Sequence, residues 1–153
     1  MSSAKIIINF DNFEQLNALR CKRIFTDVIL SIGDREFPAN KIVLCSMSDF
    51  FLSMFTSEFI EKNSSFVCLR DIDSDVFEQI LEYGYTGKII ITEDNALNIF
   101  VTSSYLLIDH LKKESIKFLM ANLKNKNFVQ IYHIAISHCC DELADACLNF
   151  WKI

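Results

Sequence analysis

The stretch FTDVILSIGDREFPANKIVLCSMSDFFLSMF, residues 25–55, is the part of the chain whose reading decides the fold. Asp27-Val-Ile-Leu-Ser-Ile32 and Arg35-Glu-Phe-Pro38 are β-rich runs separated by Gly33-Asp34, and a Gly-Asp pair between two such runs predicts a hairpin. Pro38 is expected to end the second strand. From Asn40 to Phe55 the apolar spacing turns helical and is broken near Ser46-Met47-Ser48, so two short helices packed end to end should follow.

Outward from this block the pattern continues on both sides. Upstream, residues 6–9 suggest a short strand, and Phe13, Leu16 and Leu19 give an amphipathic helix over about 11–22. Downstream, the polar run from Ser57 to Ser65 predicts a loop, and Ser65 to Leu69 a further strand. Ser74 is placed as N-cap of a helix carrying Phe77, Ile80, Leu81 and Tyr85, its end bracketed by Gly84 and Gly87. Thr92 is expected to cap the next helix, with Glu93 and Asp94 suiting the dipole of its first turn and Leu97, Phe100, Val101, Ser104 and Ile108 forming its buried stripe. Another helix should run about 109–122. Asn127 with Gln130 resembles a capping box opening a helix with Phe128, Ile131, Tyr132 and Ala135, and Leu143, Ala146, Cys147 and Phe150 stripe the last one. The class is α+β: a helical cluster flanked by a short three-stranded sheet, with a C-terminal helix pair.

Composition narrows the function. Of 153 residues, 51% are hydrophobic and 23% charged, with one Pro and three Gly, which suits one cored domain, or one domain with a small appendage, and few disordered linkers. Fourteen Phe are many for this length, so part of the apolar surface is expected to serve a partner. The net charge of −5 and the absence of any Lys/Arg run argue against nucleic acid, and no basic amphipathic or spanning stretch argues for a membrane. Six cysteines without a CxxC pair, mostly among apolar neighbours, read as reduced thiols in a cytoplasmic protein.

The chain carries no catalytic constellation. Gly33, Gly84 and Gly87 are isolated, so no phosphate-cradling loop is formed, and neither a G-x-S-x-G elbow nor an HExxH pair is found. His133, His138, Cys139 and Cys140 are the best metal candidates, but on one helix a five-residue separation turns the two histidines about 140° apart. The carboxylates Glu58, Glu61, Asp71, Asp73 and Asp75 read as a solvated face. No enzyme, metal or cofactor is expected.

Taken together, Phe25-Thr-Asp-Val28, Phe37-Pro-Ala-Asn-Lys-Ile-Val-Leu44, Ser48-Asp-Phe-Phe-Leu-Ser-Met-Phe55, Val67-Cys-Leu69, Phe77 to Gly87 and Leu106-Leu-Ile-Asp-His-Leu111 resemble the successive motifs of BTB (POZ) domains, in family order. The last of these is similar to the family's L-Q-I-x-x-L turn. Asn40 stands where the family usually has His, and can still cap the helix that begins there. Phe25, Val28, Leu44, Phe51, Phe55, Phe77 and Tyr85 are expected to form or line the core. The helix pair after residue 124 resembles the 3-box that opens the BACK region of kelch-like cullin-3 adaptors, which divides the chain into a BTB domain, 1–122, and a 3-box helix pair, 123–153. The Ile, Asn, Lys and Phe usage resembles that of poxviral kelch-like proteins.

The resemblance implies partners. Phe59-Ile60-Glu61 fits the hydrophobic-x-Glu motif of cullin-3-binding BTB domains, where an exposed aromatic can fill an apolar slot and a carboxylate can fix orientation; the plainer alternative is that Phe59 folds onto the core. With Ser53, Tyr85, Asp109, Phe128 and Ile131, these residues make up the implied cullin-binding set. Phe128, Ile131, Ile134, Leu143 and Leu148 are candidates to line or support a groove for the cullin's N-terminal extension, or simply to pack the two helices together. Phe13, Leu16 and Leu19 are implied to pack across a twofold axis of a homodimer, with Asp27 and Lys41 as a buried charge pair beside it. The expected function is a substrate adaptor that recruits the cullin-3 N-terminal domain to a ubiquitin ligase, within a larger parent bearing kelch repeats. The alternatives are a transcriptional BTB domain recruiting a corepressor and, further off, a tetrameric channel-type assembly domain.

Overall fold

The computed structural model describes residues 5–57 and 64–153. In chain order the elements are α1 (Phe13–Cys21), β1 (Val28–Ile32), β2 (Arg35–Ala39), α2 (Lys41–Met47), α3 (Asp49–Thr56), β3 (Phe66–Leu69), α4 (Ser74–Thr86), α5 (Ala96–Tyr105), α6 (Asp109–Ala121), α7 (Phe128–Ser137) and α8 (Asp141–Trp151). The strands make one sheet in the order β2-β1-β3, with β1 antiparallel to β2 and parallel to β3. The α2–α3 pair belongs to the crossover that the parallel pairing requires.

The predicted hairpin forms in register from Val28↔Ala39 to Ile32↔Arg35. Gly33 takes a φ of +61°, the left-handed conformation that the two-residue turn demands. Pro38 does not end β2, which runs on to Ala39; β2 is an edge strand, where a missing amide hydrogen is tolerated. Residues 6–9 form no strand within the chain, and Ile6, Ile7 and Ile8 stand fully out in solvent.

The break between α2 and α3 falls at Ser48. Its hydroxyl accepts from the Phe51 N–H at 3.2 Å and donates to the Leu106 carbonyl at 2.5 Å, so one buried side chain caps α3 and ties it to the end of α5. Elsewhere two predicted caps move by one or more residues. Asp73, not Ser74, caps α4, its carboxylate taking the N–H groups of Asp75 and Val76. Thr92 instead opens a turn in which Asn95 Oδ1 accepts its N–H, and α5 begins at Ala96. The buried face of α5 is correspondingly Ala96, Ile99, Phe100, Thr102 and Ser103, with Leu97, Val101 and Ser104 only half-buried. Asn127 stands at the N-cap of α7, yet no capping box forms: its side chain takes the Lys124 N–H and donates to the Asn122 carbonyl.

Two cores result. The first joins the inner face of the sheet to α2, α3 and α4 through Leu30, Phe37, Leu44, Phe51, Phe77 and Ile80. The second is wholly helical: Ala96 and Phe100 of α5 and Ile116 and Leu119 of α6 meet Ile131 and Ala135 of α7 and Leu143, Ala144 and Cys147 of α8. The C-terminal helix pair is therefore packed on α5 and α6 through a shared core.

Phe25, expected in the core, is 86% exposed. Its φ of +59° swings the side chain outward while its carbonyl is held by Asn40 Nδ2 at 2.6 Å. Three helix ends share a related device. Arg23, Leu107 and Cys139 follow α1, α5 and α7 with φ between +52° and +57°. The next N–H in each case reaches back to Leu19, Ser103 or Ala135, the hydrogen-bond pattern of the Schellman ending, here built without glycine.

Candidate docking site

The first surface is assembled around the α2–α3 junction. The Asp49 N–H donates to the Leu107 carbonyl at 3.4 Å, beside the Ser48–Leu106 bond. Phe50 stacks at a tilt on Tyr105, centroids 5.3 Å apart. These contacts hold the start of α3 against the α5–α6 turn. Ser53 lies one helical turn beyond Asp49 on α3, and Asp109 opens α6 two residues past Leu107; all three polar residues are exposed. Ser53 and Asp109, far apart in sequence, are thus carried by two elements that are fastened to each other. Phe59, Ile60 and Glu61 lie outside the described residues.

Tyr85 does not belong to that surface. It is 4% exposed, its hydroxyl donating to Asn40 Oδ1 and accepting the Asn40 N–H, both at 2.8 Å. Burial pushes its phenol above the ordinary tyrosine value, opposed in part by the Asn40 hydrogen bond and the Arg20 charge. Arg20, which the sequence reading passed over, is buried on α1 with its guanidinium 5.3 Å from the Tyr85 ring centroid. It donates to Asn17 Oδ1, the Pro38 carbonyl and the Cys21 thiol. An arginine one turn beyond Leu16 on an amphipathic helix carries no mark of burial in the sequence.

The second surface is apolar and surrounds α1. With Arg20 turned inward, Phe13, Leu16 and Leu19 remain exposed, as do Phe10, Phe25 and Ile42. Asp27 is exposed in the protomer, and its Oδ1 accepts the backbone N–H of Lys41 at 2.8 Å, supplying the acceptor that α2 needs at its first turn. Asn40, expected to cap α2, makes no side-chain cap, because its amide is engaged by Tyr85 and Phe25. The Lys41 ammonium lies 5.2 Å from the centroid of the Phe55 ring.

The third surface is on the helix pair. Leu143 is buried in the second core, and Ile131, buried there as well, borders a small recess with Leu97, Phe118 and Gln130. Phe128 and Leu148 instead join Val129, Tyr132, Cys147 and Trp151 around an apolar recess of about 280 Å³. Phe128 is braced by Phe150 and Trp151, with centroids 5.6 and 5.5 Å away. The lining residues missed from sequence fall on the outer side of the same apolar helices, where a second stripe adjoins the core stripe. Cys140 is buried and Cys139 exposed, and among the described residues no three His, Cys, Asp or Glu side chains converge to hold a metal. Nor is any described helix long and apolar enough to cross a membrane.

Comparison with known proteins bears on what such a molecule is similar to. The family model described as BTB/POZ domain matches residues 16–123, leaving α7 and α8 outside it. Kelch-like protein 17 of mouse is 31% identical over 136 residues, covering 89% of this chain and 21% of the relative. Kelch-like protein 24a of zebrafish is 37% identical over 134 residues, covering 88% and 22%. Among solved structures, the BTB domain of zebrafish PATZ1 superposes with a TM-score of 0.64 at 27% identity, covering 72% of this chain and 89% of that one. The chain spans about a fifth of the length of these two curated relatives.

Proposed function

The chain belongs to the BTB/POZ family, and from that premise we propose that it is a homodimeric adaptor module that recruits the N-terminal domain of cullin-3 to a ubiquitin ligase in the cytoplasm. The observation that carries the reading is the fastening of α3, which bears Ser53, to the α5–α6 turn ahead of Asp109 through Ser48, Asp49 and Phe50. Phe59, Ile60 and Glu61 follow α3 directly in sequence and would add the aromatic anchor and the orienting carboxylate to this arrangement. Kelch-like relatives support the adaptor class.

The helix pair supplies the second contact. As a 3-box, residues 123–153 would receive an apolar segment of the cullin's N-terminal extension in the recess beside Phe128, Tyr132 and Trp151. The apolar face of α1 supplies the dimer: Phe13, Leu16 and Leu19 would pack on a second copy about a twofold axis, bringing Asp27 and Lys41 out of water. Two cullin sites on one assembly follow from that symmetry.

Calorimetric titration of the whole chain with the cullin-3 N-terminal domain, extension included, tests the proposal. One cullin per protomer is expected, with a loss of about 2 kcal/mol or more in the Phe59→Ala/Glu61→Ala double variant. Absence of binding by folded wild-type chain would overturn it and turn attention to a corepressor peptide bound at the dimer.

A further inference from the structure

A glycine inside a helix costs backbone freedom that alanine would not. At Gly84, in the last turn of α4, the place a Cβ would take is filled by the Met47 thioether of α2: a methyl group there would overlap the Met47 Sδ and stand 3.0 Å from its Cε. The two helices thus meet sulfur against backbone. Met47 is half-buried, packing on the first core on one side. On the other it lines a recess of about 340 Å³ with Ser46, Tyr83, Gly87, Ile108 and His110. The polar groups of that recess are already engaged. The Tyr83 hydroxyl and His110 Nδ1 are hydrogen-bonded to each other at 3.0 Å, and the Ser46 hydroxyl donates to the Val43 carbonyl at 2.7 Å. The residue after Met47 is Ser48, which caps α3 and bonds the Leu106 carbonyl. Whatever displaces Met47 therefore acts at the break between α2 and α3.

We propose that Met47 is a peroxide-sensitive latch between α2 and α4. A lone pair of the sulfur attacks one oxygen of hydrogen peroxide, and the S–O bond forms as the O–O bond breaks. The proton on the attacked oxygen passes to the departing one, which leaves as water. The thioether is oxidised to the sulfoxide and the peroxide is reduced. The product puts a polar oxygen where a soft apolar sulfur had filled the notch. With its neighbouring hydroxyls engaged and a helix backbone against the sulfur, the oxidised side chain withdraws from Gly84, and α2 loosens from α4.

The wild-type chain and Met47→Leu are treated with hydrogen peroxide, then with dithiothreitol to reverse disulfides and sulfenates, and are followed by peptide mass mapping and thermal melts. Met54 and Met120 are half-buried as well, and the variant separates their oxidation from that of Met47. The expected result is a gain of one oxygen at Met47 in the folded wild type and a melting point lower by about 4 °C or more. Treatment with both methionine sulfoxide reductases, one for each epimer, should restore it. In Met47→Leu, peroxide should shift the melt by no more than about 1 °C. An unoxidised Met47 in peroxide-treated wild type, or an equal fall in Met47→Leu, would overturn the latch. Should that variant not fold, the reductase step decides: a melt that stays low once the map shows Met47 reduced overturns it too.

Discussion

Three side chains set the geometry beneath α1. The Tyr85 hydroxyl pairs twice with Asn40, Asn40 holds the Phe25 carbonyl, and the buried Arg20 guanidinium lies near the Tyr85 ring. Tyr85→Phe removes one donor and one acceptor from this group and leaves the Asn40 N–H without its partner. It should cost about 1–3 kcal/mol in urea denaturation, with the slope of the transition unchanged. The exposed Cys139 offers the opposite case, since its φ of +52° is strained for any residue with a Cβ. Cys139→Gly should raise stability by about 0.5–1 kcal/mol, the relief of strain exceeding the extra freedom glycine gives the unfolded chain. A lower urea midpoint would contradict that assignment. At this scale an expectation drawn from the family resemblance fails at Phe25: it was to form or line the core, but two left-handed residues, Arg23 and Phe25, send the chain and the ring outward. Backbone handedness at non-glycine positions leaves no signature in residue type.

The elements themselves were largely legible, because their periodicity is local. Ser46-Met47-Ser48 marked the α2–α3 break, and Gly87, at φ +70°, marks the end of α4. Caps were less so: Asp73 and Ser74 are both good capping residues, and only geometry selects the first. Asp73→Ala should therefore cost about 1 kcal/mol in urea midpoint, and Ser74→Ala much less. An ion pair joins elements farther apart. Lys124, between α6 and α7, hydrogen-bonds Glu93 ahead of α5 and, with its charge, holds that carboxyl below the ordinary glutamate range. A depressed folded pKa contributes stability that is present above the unfolded value and lost as pH falls through the folded one. The difference in urea midpoint between wild type and Glu93→Gln should accordingly shrink on acidification from about pH 6 to pH 3, and shrink also with added salt because the pair is exposed.

At the scale of the whole molecule, the apolar face of α1 is what the proposed dimer rests on. Phe13, Leu16 and Leu19 keep 50%, 40% and 37% of their surface exposed, apolar area that a second copy would bury. Sedimentation equilibrium should give a dimer for the wild type and a monomer of unchanged helical content for Leu16→Asp/Leu19→Asp; a wild-type monomer at micromolar concentration would contradict the proposed assembly. The helix pair reaches the rest of the chain through the second core, where Phe100, Leu119, Ile131 and Leu143 meet, so substitutions there disturb α5 and α6 as well as the recess.

Residue pattern by itself determined the α+β class, the hairpin, the split helix and the trailing helix pair, because alternation, 3.6-residue spacing and turn residues act over a few positions. Tertiary structure alone decided that the start of α3 is fastened to the end of α5, since the Ser48–Leu106 bond spans 58 positions of the chain. It likewise exposed Phe25, turned Arg20 inward, and set Tyr105 and Leu107 out in solvent. Which side of an amphipathic element is covered depends on what packs against it, and that is fixed by contacts between residues distant in sequence rather than by the residues' own preferences.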